Sequence, residues 1–374
     1  DNTVEIGSYA FSNNARLTDV TINARVSALG DGAFNGCVNL SALYLGYSPK
    51  DVRNAVASVS GKGVFGGCEK LSVFVATENI AKKYAEIWEN AYDKHKISPV
   101  QYKDVNGFVY AVTSTQNKQV TVVNYVGKNK EIVFPTETQI GSVIYSVARI
   151  GRAKYDNSGI SEGYVINDNV KKVVVPKSVT TIGEDAFKNS ENLEEVELTS
   201  GLLTIETRAF ENCKKLTKIK IPASVKTIET YAFAGCESLN DGFSFAENAI
   251  APVSGTLIIG GYAFSGCVSL ETLYVPSHVA NIGGYRSAAT KDTGHTFENC
   301  ISLKTVTFSK NALITSVEGY VFANTAIKEI QIPASLETVG DYAFAKMNSL
   351  LRVVIARAPT GGSGIGNITS AGNN

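Results

Sequence analysis

The chain has 374 residues, 44% of them hydrophobic, which is enough for a substantial core and excludes global disorder. Lys plus Arg and Asp plus Glu both number 35, and this balance argues against a protein built to hold nucleic acid or to lie on an anionic membrane. No apolar run approaches the roughly 18–20 residues of a bilayer-spanning helix, so no membrane span is expected.

From the N-terminus, the first element is a repeat. Phe11, Phe34 and Phe65 anchor three copies within residues 1–76, and Phe187, Phe210, Phe233, Phe264, Phe297, Phe322 and Phe344 anchor seven more within 151–356. The unit is written out at 204–224, TIETRAFENCKKLTKIKIPAS. Its Leu216, Ile219 and Ile221 alternate with polar residues as a short half-buried strand does, and Pro222 ends the strand because it has no amide hydrogen to give. Upstream of each Phe lies a second apolar residue followed by Gly or Glu, as in Ile182-Gly183, Ile205-Glu206, Ile228-Glu229 and Val339-Gly340. A unit this short cannot bury its apolar face alone, so stacked copies forming a solenoid of short parallel strands with turns and short 3-10 segments are predicted.

Between the two blocks, residues 77–100 carry Ile80, Tyr84, Ile87, Trp88 and Ala91 at helical spacing, which predicts a helix capping the first stack. Within 101–150, the runs 108–112, 120–125, 131–134 and 143–149 read as a small antiparallel β segment. Residues 357–374 are rich in Gly, Ser and Asn and read as a flexible tail. Because the opening TVEIGSYAF starts in mid-repeat, the native protein is expected to extend further N-terminally.

The cysteines are the first chemical question. Cys37, Cys68, Cys213, Cys236, Cys267 and Cys300 all stand three residues after a Phe, where other copies hold Asn14, Ser190, Thr325 and Met347. A slot that accepts these types wants a small or medium inward side chain, sometimes one that bonds backbone, and does not require thiol chemistry. Stacked strands about 4.8 Å apart keep in-register Cβ atoms near 5 Å, against the ~3.8 Å of a disulfide. Stacked free thiols are therefore expected, forming a structural ladder with Phe34, Phe187, Phe210, Phe233, Phe264 and Phe344. The order Cys267, His278, His295, Cys300 lacks the close cysteine pair of a zinc site, and no carboxylate pair stands out. No catalytic, metal or cofactor residue is assigned.

Two sets of residues are candidates for partner binding. Tyr231, Tyr262, Tyr320 and Tyr342 stand two residues before a Phe, as does Tyr9, and alternation predicts partial exposure. They can form a recognition surface or simply pack sideways on neighbouring copies. The copies before Phe65, Phe264 and Phe297 carry eight to ten extra residues. The last insertion, GGYRSAATKDTGHTF (283–297), holds Tyr285, Arg286, Lys291, Asp292 and His295, and insertions in repeat arrays often map to the binding side. A tolerated neutral loop is the alternative.

The stretch LTKIKIPASVKTIETYAFAGCESL, Leu216–Leu239, resembles the repeat of the BspA-like bacterial surface leucine-rich proteins, over 1–76 and about 170–356. The segments 75–100 and 104–150 are similar to the helix that closes, and the β-hairpin that opens, such repeat blocks. The resemblance implies a right-handed leucine-rich-repeat solenoid. It also implies a non-enzymatic extracellular or cell-surface bacterial protein, with any signal peptide removed or outside this sequence. Its partner would be a protein, a host matrix or bacterial surface component, bound multivalently along an extended face for adhesion. Alternatives are a passive structural spacer, or the substrate-targeting repeats of a larger surface enzyme.

Overall fold

The computed structural model describes residues 4–22, 26–40, 42–45, 63–68, 71–74, 102–103, 105–114, 117–140, 143–152, 166, 169–247, 256–284 and 293–355. The predicted helix within 77–100 and the tail at 357–374 lie outside the described residues. The chain forms two compact units, one of Asp1–Gly127, Glu137–Val147 and Ala153–Glu162, the other of Lys128–Thr136, Ala148–Arg152 and Gly163–Asn374.

The first unit contains the three N-terminal rungs. Asp19–Ile22, Ala42–Leu45 and Ser72–Phe74 pair in parallel, and Val4–Ile6 pairs in parallel with Val26–Leu29. Phe11, Phe34 and Phe65 stack with ring centroids 5.3 and 5.2 Å apart. The same unit holds an antiparallel sheet in which Phe108–Ser114 pairs with Tyr102–Lys103 and Gln119–Tyr125, and Glu137–Ile140 pairs with Val143–Ile150. Three of the four predicted runs thus take antiparallel partners.

The fourth does not. Glu131–Val133 pairs in parallel with Lys172–Val174 and is the first rung of the second unit. The reason is visible in EIVFP (131–135), which carries the same strand-then-proline signature as KIKIP (218–222). Its neighbour offers the matching pattern KVVVP (172–176), so a parallel register buries Ile132 beside Val173. Val143–Ile150 changes role in a similar way, because its last two residues, Arg149 and Ile150, pair in parallel with Thr181 and Ile182.

The second unit is built on two sets of parallel strands. One set takes the apolar-Gly or apolar-Glu sites, Thr181–Ile182, Thr204–Ile205, Thr227–Ile228, Leu257–Ile259, Val279–Ile282, Ser316–Val317 and Thr338–Val339, each bonded to the next. The other takes the alternating strands, five of nine of which run into proline. It runs from Glu131–Val133 through Lys172–Val174, Glu195–Glu197 and Lys218–Ile221 to Phe243–Phe245, and resumes as Thr272–Val275, Thr305–Phe308, Glu329–Ile332 and Arg352–Ile355. Between the sets, seven phenylalanines from Phe187 to Phe344 stack with centroids 4.9–5.7 Å apart and rings within 14° of parallel. The spacing follows from the strand separation, which places each ring over its equivalent one rung away. Phe134, from the EIVFP rung, meets Phe187 edge-on at 6.1 Å and begins the column.

No 3-10 helix occurs among the described residues, and the segments around each Phe are turns instead. Two residues per turn explain why. The positions two before and two after each of the ten anchor Phe residues have positive φ, for example Arg208 (56°) and Asn212 (59°) around Phe210. A left-handed residue on each side breaks any helical run. The position two after Phe holds Asn or Gly in nine of ten copies, the types that tolerate this backbone best.

Candidate functional site

The cysteines sit inside the turns, and their partners explain the slot. Each Phe amide in the second column donates to the carbonyl before the next Phe, as Phe210 N does to Ala232 O at 2.7 Å. The carbonyl of each Phe has two lone pairs to satisfy in a dry core. Phe210 O accepts from its own coil's Cys213 amide at 3.2 Å and from the next coil's Cys236 thiol at 3.1 Å. All six thiols do the same, with Sγ–O distances of 3.0–3.4 Å. Thr325 and Asn14 fill the equivalent slot by bonding their own coil's Phe carbonyl, each at 2.9 Å. In the copies with Cys, Thr325 and Asn14 the slot therefore holds a compact donor, whereas Met347 in the last copy offers none. The six cysteines are free and fully buried.

Burial pushes the Cys68 thiol up to about 11, with the neighbouring Cys37 adding to the rise, and it raises Cys236 and Cys267 strongly. A thiol so protected is neither a nucleophile nor a ready metal ligand. Accordingly, a thiol-reactive chromophore should label no cysteine of the native protein and all six after denaturation in guanidinium chloride. Fast labelling of the native fold would contradict the rung assignment.

Outside the column, the residues two before each Phe form a second row. Tyr231 and Tyr262 stack at 4.7 Å, Tyr262 and His295 at 4.5 Å, His295 and Tyr320 at 4.6 Å, and Tyr320 and Tyr342 at 5.0 Å, all within 20° of parallel. The Arg208 guanidinium stands 5.6 Å from the Tyr231 ring centre, a cation–π contact at one end. Five predicted binding residues thus lie in one continuous row, and Arg208 joins them. Tyr231, Tyr262, His295 and Tyr320 are half-buried and Tyr342 is exposed. Tyr262, His295 and Tyr320 each stack on a ring to either side, and Tyr342 on one side. His295 Nδ1 lies 2.8 Å from Glu298 Oε2, adding a carboxylate beside the row.

The backbone does not require these rings. The same left-handed slot holds Gly32, Gly63 and Asp185 in other copies. A bulky residue at positive φ costs roughly 1–2 kcal/mol, and each stacked pair returns about 0.5–1.5 kcal/mol. Sideways packing is therefore real, and it organises the side chains into a row. The other four residues of the predicted insertion site, Tyr285, Arg286, Lys291 and Asp292, lie outside the described residues.

A second polar feature went unanticipated. Glu206 is 7% exposed and takes a two-pronged ion pair from Arg149, Nη1 to Oε1 at 2.7 Å and Nη2 to Oε2. Arg149 Nε donates to Arg152 O at 2.8 Å, and Glu206 Oε2 accepts the Glu184 amide at 3.0 Å. One rung later, Glu229 accepts both the amide and the hydroxyl of Thr207, each at 2.9 Å. The Glu of Ile-Glu thus caps the preceding coil's turn. Gly183 leaves room for the arginine, because a Cβ there would stand 2.5 Å from Arg149 Nη2.

The Cys267, His278, His295, Cys300 series is not brought together as a ligand set. The two cysteines are inner rungs and His295 belongs to the outer row. His278 is 1% exposed, and burial lowers its tendency to protonate. Among the described residues, no group of three His, Cys, Asp or Glu is arranged to hold a metal ion. No described helix is long and apolar enough to cross a membrane.

Parallel rungs, a phenylalanine column and a leucine six residues after nearly every Phe define a leucine-rich-repeat solenoid. The chain belongs to the BspA type leucine-rich repeat family, whose model matches six copies over residues 1–108, 158–292 and 286–361. Among solved structures, it is 25% identical to a leucine-rich cell surface protein of Faecalibacterium prausnitzii A2-165, covering 70% of this chain and 55% of that one, with a TM-score of 0.45. The pneumococcal vaccine antigen PcpA is 22% identical over 68% of this chain and 69% of its own, with a TM-score of 0.46. A leucine-rich repeat protein of Bacteroides ovatus is 21% identical over 68% and 71%, with a TM-score of 0.39. The chain therefore spans just over half of the Faecalibacterium protein. Comparison with curated protein sequences returns no match.

Proposed function

We propose that this chain is a non-enzymatic, surface-displayed or secreted binding protein that engages another protein through the outer surface of its solenoid. The observation that carries the proposal is the continuous row Arg208, Tyr231, Tyr262, His295, Tyr320 and Tyr342. Tyr and Arg dominate protein-binding hot spots because they combine apolar area with a polar tip at low entropic cost. A row whose faces are already stacked suits protein groups that meet ring edges and hydroxyls. It suits a sugar ring, which needs an open face, less well. The repeated spacing presents equivalent contacts rung after rung, so affinity is spread and multivalent. The insertion bearing Tyr285, Arg286, Lys291 and Asp292 is included in the proposal because Asp292 stands three residues before His295 in the sequence.

The test is capture from arrayed host-matrix and bacterial surface proteins by wild-type chain, by Tyr262→Asn/Tyr320→Asn, and by a chain lacking 285–292. Asn accepts positive φ, so the double variant keeps the turns. The proposal predicts a captured protein whose binding falls at least about tenfold in the Asn variant, since two hot-spot residues are lost. Capture unaffected by both changes would remove the row and the insertion as the site, and no capture at all would favour the spacer alternative.

A further inference from the structure

A second surface of the same unit has the chemistry of an anion-accepting groove. Thr305–Phe308 and Glu329–Ile332, with the turns that follow them, enclose an open groove of about 840 Å³. That volume falls within the roughly 300–1,000 Å³ range of ligand sites. The exposed side chains Thr305, Thr307 and Gln331 give it a neutral, hydrogen-bonding floor. Its charges do not cancel. Lys304 is paired with Glu271 at 3.0 Å, and Glu329 with Arg352 at 3.3 Å. Lys310 and Lys328 are exposed, line the groove and form no ion pair with a described residue. With Glu247 hydrogen-bonded to the lining residue Ser309, four cations stand against three carboxylates, an excess of one positive charge on a chain that is neutral as a whole.

We infer that this groove binds an extended acidic peptide segment, with carboxylates on Lys310 and Lys328 and peptide groups on the exposed Thr305, Thr307 and Gln331. Charge complementarity selects the occupant. Two separated lysine point charges over a neutral polar floor match a segment with a few carboxylates. A densely sulfated polysaccharide would instead call for a tight cluster of basic side chains without Glu329 in the lining. The inference deepens the protein-binding proposal by naming the chemistry of one partner segment, and it uses none of the aromatic row.

The test is fluorescence anisotropy of a labelled octaglutamate peptide titrated with the full chain, alongside octaglutamine and a sulfated polysaccharide. Octaglutamate should bind, weaken with salt, and outcompete octaglutamine. Lys310→Gln/Lys328→Gln should weaken it by up to about tenfold and flatten its salt dependence, as loss of two exposed charge contacts implies. Lys214→Gln/Lys215→Gln, and the Tyr262→Asn/Tyr320→Asn variant, should leave it unchanged. Thermal unfolding of both lysine variants should match wild type, since the lysines are exposed. Absence of octaglutamate binding, equal losses for the two lysine pairs, or binding of the sulfated polysaccharide alone would overturn the inference. Because the row variant is expected to keep this binding, the groove and the row fail separately.

Discussion

Phe233→Ala should destabilise the second unit by about 3–5 kcal/mol, the cost of emptying a buried aromatic site whose surroundings relax only partly. Phe233 is fully buried between Phe210 and Phe264, with ring centroids 4.9 and 5.0 Å away. Both neighbours sit in turns of coils whose flanking strands are bonded in register, so neither coil can move inward to fill the gap without breaking its ladder. In a one-dimensional array the consequence is more than a lower midpoint. Each coil touches only the next, so a weakened central rung uncouples the coils on either side. Denaturation should broaden toward two transitions, read by circular dichroism against guanidinium concentration. Phe11→Ala is the internal comparison, because Phe11 remains 44% exposed at its end of the first stack. Its loss should cost about 1 kcal/mol, in line with partial burial. Equal effects at the two positions would refute the column as the main source of cohesion.

Arg149→Met should cost about 3 kcal/mol, because it strands the Glu206 carboxylate in a site from which water is nearly excluded. The side chains are 13% and 9% exposed, so little solvent is available to screen the orphaned charge. Glu206→Gln should be milder, since an amide oxygen can still accept the Glu184 amide that Glu206 now satisfies at 3.0 Å. The double variant Arg149→Met/Glu206→Gln should recover more than half of the single Arg149 loss. A double-mutant cycle by chemical denaturation separates the pair's coupling from its burial cost. Additive losses would show that the pair is not coupled.

The rung pattern was legible in the sequence because it is local and periodic. Phe210, Cys213, Leu216, Ile219 and Ile221 recur at fixed offsets, and stacking turns those offsets into columns. The turn geometry was half legible. Asn or Gly at two residues after Phe signals a left-handed backbone, whereas Tyr, Arg and His two residues before Phe signal nothing of the kind. That is why Arg208 was missed as the start of the aromatic row. The tyrosines were recognised as a set because they share one offset, but their stacking depends on all of them keeping the same strained φ. The parallel rung at Glu131–Val133 was misassigned because its partner lies some forty residues downstream and adjacent hairpin strands dominate the local pattern. Arg149 and Glu206 stand 57 residues apart, and nothing in either neighbourhood announces the other. The same holds for the groove, which is assembled from separate rungs and the turns between them.

The chain divides into inner rungs that hold it together and an outer row that we propose meets a partner. The most direct measurement compares two variants against one captured partner, with thermal unfolding followed on the same samples. Cys236→Ala removes the thiol that completes the Phe210 carbonyl and should lower the unfolding temperature while leaving affinity intact below it. Tyr262→Asn/Tyr320→Asn should lower affinity at least about tenfold while changing the unfolding temperature far less than the core variant does. The reverse pattern, binding lost with Cys236 and kept without the two tyrosines, would contradict the account.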